Sequence, residues 1–335
     1  MVVLLAKNET TLQRMKQRIT KNFLLFVITL AVVFAFAMKA TVFQKPATTP
    51  ATTSHTVPKQ FADYWFAGKA ELNSYRLEQA QYGALNPGTA VLIFVTEDFR
   101  TDTQVKSETE ASRAQSVPVL KTNMVRKFNT GIYDYSMFTS VFTPIDNGSG
   151  QPSKFANTLK VSTSVQEWCG HSYVQLNLKS GGYEVSSRSY FEKEATEAYR
   201  VDQVLLEDEL WNQVRLAPDK LPTGELTLIP SSVSGRLRHR KLDPLAATAQ
   251  REPYTGTTFK GAGLQTYTVT YTADATKFMI VYEGKFPYMI VGWEDTYKQK
   301  DKLLTSRAVL QKTMMSDYWN HNAPMDSTLR KELGL

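Results

Sequence analysis

A mainly β body, one large curved antiparallel sheet or a pair of sheets with one long packed helix and a short C-terminal helix, is what the sequence predicts for residues 59–335. Three observations predict it. Period-two alternation recurs along the chain, the pattern of strands with one buried face. One segment, residues 192–216, breaks that alternation because it lacks Gly and Pro and is rich in helix formers. The composition, 42% hydrophobic and 21% charged over 335 residues, supports a sizeable core and excludes disorder, collagen and coiled coil.

The strands follow in order. Residues 91–96 form a continuous apolar strand, residues 132–142 are aromatic and β-branched, and Leu159, Val161, Thr163 and Val165 share one face. Residues 172–178 and 183–190 flank Ser180-Gly181-Gly182, whose glycines allow the positive φ angles of a tight hairpin. Further strands are expected at 225–229, 266–272, 278–283 and 288–293, with Pro287 marking a turn or an edge. In the helical segment, Val201, Val204, Leu205 and Trp211 fall on one side, while Leu206, Leu210 and Val214 fall on the other. A helix apolar on two faces is expected between β layers or in the concavity of a strongly curved sheet. Residues 327–333 close the chain as a short helix.

The first 58 residues have a different character. Residues 1–22 form a basic cytoplasmic segment. Residues 1–40 carry six bases against Glu9 alone, a net +5, so most of the formal +7 lies there and the rest holds 33 bases and 31 acids. A near-neutral body with mixed signs has no basic stripe to track nucleic acid. Residues 23–37 are uninterrupted and apolar, and Ala35-Phe36-Ala37 offers small residues for a signal peptidase. If Lys39 snorkels, the run extends to Phe43, and 21 residues at ~1.5 Å each would span a bilayer core. A cleaved signal and a retained transmembrane anchor, an N-terminal hydrophobic helix, both fit; either delivers the body across the membrane to the periplasmic side. Met15 is an alternative start that would shorten the charged region toward signal-peptide size. Residues 44–58, rich in Thr, Ala and Pro, read as a linker.

Few residues carry recognisable chemistry. The single Cys169 cannot form an intramolecular disulfide. It sits two residues before His171; on a strand, positions two apart face the same way, and an imidazole beside a thiol can generate a thiolate nucleophile. The bland alternative is a packed thiol beside a hydrogen-bonded histidine. Residues 236–241 are the dense basic cluster of the body. As a strand they would project Arg236, Arg238 and Arg240 from one face toward an anionic envelope component, or simply guard a sheet edge with charge. Glu207-Asp208-Glu209 reads as a solvated patch, and Glu97-Asp98 and Glu294-Asp295 as strand-end charges. Four scattered histidines make no metal spacing, Gly261-Ala262-Gly263 lacks a third glycine, and no Walker or GxSxG sequence occurs. No metal or cofactor is expected. The Tyr and Trp residues near strand ends, Tyr64, Trp65, Tyr133, Tyr135, Trp168, Trp293, Tyr318 and Trp319, suit either a large core or a lipid or sugar pocket.

Residues 64–99, with TGIYDYS at 130–136, QEWCGH at 166–171 and SYFEKEA at 189–195, resemble a family of uncharacterised exported proteins from Bacteroidota. The likeness extends through LEDELW and LPTGELTLIPS to nearly the whole body. Some members carry the label septum formation inhibitor Maf, which implies a cytoplasmic nucleotide pyrophosphatase with an early Ser-x-Ser-Pro-Arg-Arg loop. That loop is absent from this sequence. Many members are lipoproteins, and no cysteine follows the apolar run here. The expected function is therefore a non-catalytic cell-envelope protein that binds a lipid, a glycan or an envelope partner. Cys169/His171 acyl transfer or hydrolysis is the alternative, with nucleotide pyrophosphate hydrolysis third.

Overall fold

Alternation along the chain resolves into fifteen strands of one sheet, which is mixed where an antiparallel one was expected, because Leu205–Leu206 pairs in parallel with Leu228 and Ile229. The structure, a computed structural model, describes residues 57–145, 157–274, 276–299 and 301–335. The apolar run and nearly all of the linker lie outside the described residues; among those described, no helix is long and apolar enough to cross a membrane.

Helix α1 (Lys59–Trp65) leads into β1 (Ala70–Gln81), β2 (Ala84–Arg100), the short α2 (Glu110–Arg113), β3 (Ser116–Thr130), β4 (Tyr133–Pro144), β5 (Lys160–Glu167), β6 (Gly170–Lys179), β7 (Gly182–Ser189) and β8 (Thr196–Asp202). These eight strands form an antiparallel meander, each beside its predecessor. The chain then makes β9 (Leu205–Leu206), a single 3-10 turn (Glu207–Glu209), α3 (Leu210–Leu216), β10 (Gly224–Ile229) and α4 (Ser232–Arg238). A second meander follows: β11 (Leu245–Pro253), β12 (Leu264–Tyr271), β13 (Lys277–Glu283), β14 (Ile290–Gln299) and β15 (Lys302–Ser316). It works back until β15 pairs with β1, from Ala70↔Ser316 to Glu78↔Arg307, joining the two meanders into one sheet. A short α5 (Thr328–Glu332) lies near the C-terminus, where the sequence places it.

The sheet curls on itself. Its two edges, β8 and β9, are separated in the chain only by Gln203 and Val204. Val201 of β8, Leu206 of β9 and Ile229 of β10 are buried in one cluster with Val141, Val161, Leu176 and Tyr183 from the first meander. Helix α3 fills the concavity. Leu210, Trp211 and Val214 pack against Leu92, Phe94 and Leu120 of the first meander and against Tyr267, Ile280 and Trp293 of the second. Asn212 sets its register, donating to the Leu120 carbonyl at 2.9 Å and to Thr143 Oγ1 at 2.8 Å, and accepting from Thr122.

The helix apolar on two faces is therefore covered on two faces, but it is not long. Residues 196–202 are strand β8, with Glu197, Tyr199 and Val201 turned inward and their neighbours exposed. Strand pairing overrides the helix-forming composition: Val185↔Tyr199 and Tyr183↔Val201 complete the β7 edge. The Ser180-Gly181 turn joins β6 to β7 as expected, with φ of 35° and 82°.

Candidate functional site

Four hairpin tips, β1–β2, β3–β4, β5–β6 and β7–β8, lie at one end of the curled sheet, as the antiparallel registers require. The β10–β11 connection, which contains α4, returns at this same end. Ser231 caps α4, its Oγ accepting from Ser234 N at 3.1 Å. His239 stops it in the left-handed conformation at φ 53°.

The basic cluster is thus a helix and its C-terminal extension, where the strand reading would have it extended. Its side chains diverge, and each meets an acid from a different part of the sheet. Arg236 reaches Glu167 of β5 at 3.5 Å, Arg238 reaches Asp295 of β14 at 3.0 Å, and His239 reaches Glu194 beyond β7. Arg240 pairs with Asp274 at 2.6 Å and Lys241 with Glu197 at 3.4 Å. Arg236 also lies over the Phe191 ring at 4.2 Å and Arg238 over Tyr297 at 4.0 Å. The cluster closes the tip end of the sheet by binding both meanders electrostatically. Asp295, expected at a strand end, instead points inward from within β14 with its side chain 15% exposed.

Between α4 and β6–β8, where the sheet fails to close, lies a cleft of about 110 Å³. Ser172, Ser187, Ser189 and Ser232 contribute hydroxyls, Tyr199 lines one wall, and Arg188 and Lys193 stand among the charged residues around it. Arg188 donates to the Ser187 carbonyl at 2.7 Å. Neither Arg188 nor Lys193 has an acidic partner among the described residues, in contrast to Arg236, Arg238, Arg240 and Lys241. Glu194 and Glu197 line the cleft too, and Arg188 is exposed on the outer face of β7, where it donates to Ser186 Oγ at 3.4 Å, so a group seated here meets hydroxyl donors with charges of both signs at the rim. The volume is below the ~300–1,000 Å³ of sites that enclose drug-sized ligands.

These serines were not singled out from the sequence, yet a signal exists. Toward the tips, the inward positions of β6 run Leu176, Val174, Ser172 and those of β7 run Val185, Ser187, Ser189. Apolar side chains give way to hydroxyls on the face that should stay apolar.

The other candidates fall elsewhere. Cys169 occupies the exposed β5–β6 turn, its backbone N–H donating to Glu167 Oε2 at 2.6 Å. Hydrogen bonding to Glu167 and the charge of that carboxylate push the thiol up, away from the thiolate, with Arg236 opposing. His171 is the second residue of β6, exposed, and no hydrogen bond joins it to Cys169. Glu207, Asp208 and Glu209 are not a solvated patch: they are 5%, 6% and 3% exposed. Each caps a different partner. Glu207 accepts from Tyr271, Asp208 from Ser232 N at 2.8 Å and Oγ at 2.7 Å, and Glu209 from Leu206 N at 3.0 Å and Thr158 N at 3.2 Å. Burial, reinforced by the charge of Asp295, pushes Glu207 up to about 7 against the Tyr271 hydrogen bond. No group of three His, Cys, Asp or Glu among the described residues could hold a metal ion.

The aromatics divide between core and surface. Trp65, Trp293 and Tyr135 are buried, whereas Trp168 is 67% exposed and Trp319 is 46% exposed. No protein-family model, curated protein or solved structure matches the chain.

Proposed function

We propose that this is a non-catalytic cell-envelope protein whose body, delivered by residues 23–43, binds an acidic group of a glycan or envelope partner in the seam cleft. The observation that carries the reading is the hydroxyl lining of the cleft, with Arg188 and Lys193 exposed at its rim and without an acidic partner among the described residues while Arg240 and Lys241 are paired. Filling of the concavity by α3 and its aromatic neighbours favours a polar group over an acyl chain. The raised thiol of Cys169, with no hydrogen bond to His171 among the described residues, favours binding over thiolate chemistry.

Calorimetric titration of the full chain with inorganic phosphate and with D-glucuronate tests this reading. Binding in the millimolar range, about −4 kcal/mol, is expected for at least one probe, with loss in the Arg188→Ala/Lys193→Ala variant. Absence of binding by both probes, or binding unchanged in the variant, would remove the reading.

A further inference from the structure

Aromatic side chains crown successive tips of the first meander. Tyr82 stands at the β1–β2 tip, Tyr133 beside Ile132 at β3–β4, Trp168 at β5–β6, and Tyr190 with Phe191 at β7–β8. Tyr82, Trp168 and Tyr190 are 60%, 67% and 71% exposed. They are not scattered singly. Ring centroids are 6.4 Å apart for Tyr82–Tyr133, 6.5 Å for Tyr133–Trp168 and 5.7 Å for Tyr190–Phe191.

Two local features hold this track in place at a cost to the backbone or to side-chain choice. Tyr82 has φ of 55°, a conformation in which a bulky residue is an outlier and where Asn or Gly is preferred in a two-residue hairpin. Its ring is fixed by a 2.7 Å hydroxyl–hydroxyl hydrogen bond to the buried Tyr135. Tyr190 lies against Gly170, where a Cβ would come within 2.6 Å of the ring. Any other residue at 170 would displace the ring from the β5–β6 tip.

The chemistry around the rings separates possible occupants. The tip end carries both signs, with Asp134 and Glu192 on the tips and Arg236, Arg238, Arg240 and Lys241 on and after α4 each paired with an acid, so its unpaired bases fall short of the cluster of about 4–8 that an anionic bilayer recognises. Carboxylates beside aromatic faces suit a sugar: the axial C–H groups of a pyranose make an apolar face that stacks on a ring, and its equatorial hydroxyls donate to carboxylates. Tyr82, Tyr133 and Trp168 follow one another at 6.4 and 6.5 Å from three successive tips, a strip longer than one sugar ring, which suits a chain over a monosaccharide. The track leads to the seam cleft, since Phe191 packs on His239 at 5.6 Å.

We propose that the aromatic track is the docking surface for a linear, β-linked glycan chain, its pyranose faces stacked on Tyr82, Tyr133, Trp168 and Tyr190. The track deepens the cleft reading by naming the polymer, and it rests on that reading only for the seat of an acidic substituent.

The test uses the full chain in mild detergent, titrated with hexa-N-acetylchitohexaose, a neutral oligomer, and co-sedimented with purified bacterial sacculi. At least one should bind, at least tenfold more weakly in Trp168→Ala/Tyr190→Ala, whose exposed positions leave the unfolding midpoint unchanged. The Arg188→Ala/Lys193→Ala variant should keep its affinity for the neutral oligomer, so failure of the cleft reading and failure of this one are distinguishable. Three results would overturn the proposal: neither glycan binds; binding is undiminished in the aromatic variant; or the aromatic substitutions instead reduce pelleting with phosphatidylglycerol/phosphatidylethanolamine vesicles.

Discussion

The segments around α3 and α4 are both densely charged, yet the fold uses their charges in opposite ways. In the first, Glu207, Asp208, Glu209 and Arg215 are all buried. In the second, bases from Arg236 to Lys241 meet acids at the protein surface, with exposure growing from 9% at Arg236 to 55% at Arg240 and Lys241. Inside the sheet a charge must have every donor or acceptor answered, because water cannot answer it. At the rim, water shares that task and each pair contributes less. The same residue types therefore act as internal braces in one segment and as a soft, salt-sensitive closure in the other.

Removing Arg215 breaks the comparison most severely. Its guanidinium contacts Glu71 with two bonds of 2.5 and 2.6 Å, donates from Nε to the Pro287 carbonyl at 2.9 Å, and lies over Trp65 and Phe94 at 5.0 and 4.6 Å. Asn73 at 2.6 Å and Tyr64 also donate to Glu71. Burial alone would raise the Glu71 carboxyl, but Arg215 and these hydrogen bonds hold it below the ordinary range. Arg215→Met leaves that carboxylate unpaired and should cost about 3–5 kcal/mol in urea unfolding. Glu71→Leu/Arg215→Met should recover most of the loss, because the orphaned charge is removed along with its partner. A double variant as unstable as the single one would show that the guanidinium stabilises mainly through its aromatic contacts.

A second, smaller effect separates the two segments by pH. Glu207 titrates at about 7 in the folded protein against an ordinary 4.5. Between those values the folded state binds the extra proton, so this contribution is most favourable below pH 4.5 and is lost as pH rises through 7, by about 3 kcal/mol. Burial raises Asp208, Glu209 and Asp295 as well and tilts stability the same way, while Arg126 and Arg238 oppose at Asp295. Urea midpoints at pH 5 and pH 8 should therefore fall in the native chain and fall distinctly less in Glu207→Gln. Equal slopes would place the proton elsewhere in the cluster.

Arg238 lies between the two regimes. It begins in the rim helix but its side chain, 13% exposed, reaches inward to Asp295. Arg238→Ala should cost about 2 kcal/mol, more than a surface pair and less than the Arg215 loss. It should also steepen the pH dependence, because Asp295 loses its nearest cation beside Glu207. A loss below 0.5 kcal/mol with an unchanged pH slope would assign Arg238 to the outer, solvent-shared group.

How much of this was legible depended on whether a residue's partner was close in sequence. The β6–β7 hairpin was readable because Ser180-Gly181 and its flanking alternation lie within one window. Of the two-faced apolar pattern, Leu210, Trp211 and Val214 belong to α3 and are covered by both meanders, whereas Val201, Leu205 and Leu206 belong to strands. Strand β8 was hidden because Glu, Ala and Arg favour a helix locally, and only the waiting edge of β7 makes Tyr199 and Val201 extend. The acids of the 3-10 turn and the arginines of α4 were misplaced for a related reason. Their partners, among them Tyr271, Asp295 and Asp274, come from the second meander, and nothing in local spacing announces them. The cleft was faintly legible in the change from Val185 to Ser187 and Ser189 along β7.

The smallest expected effect sharpens the contrast at its outer limit. Arg240 and Asp274 approach to 2.6 Å, yet the side chains are 55% and 30% exposed, so a short distance does not imply a strong contribution. Solvent screens the attraction, and ordering a long arginine offsets part of what remains. Arg240→Ala should change stability by no more than about 0.5 kcal/mol at low salt. The difference should vanish by about 0.5 M NaCl, where the screening length falls well below the ~10 Å of 0.1 M salt. The Arg215→Met loss should persist at the same salt, because its partner is sealed from counterions. Equal salt sensitivity for the two variants would mean that water reaches Glu71, and the division between internal braces and outer closure would fail at its strongest point.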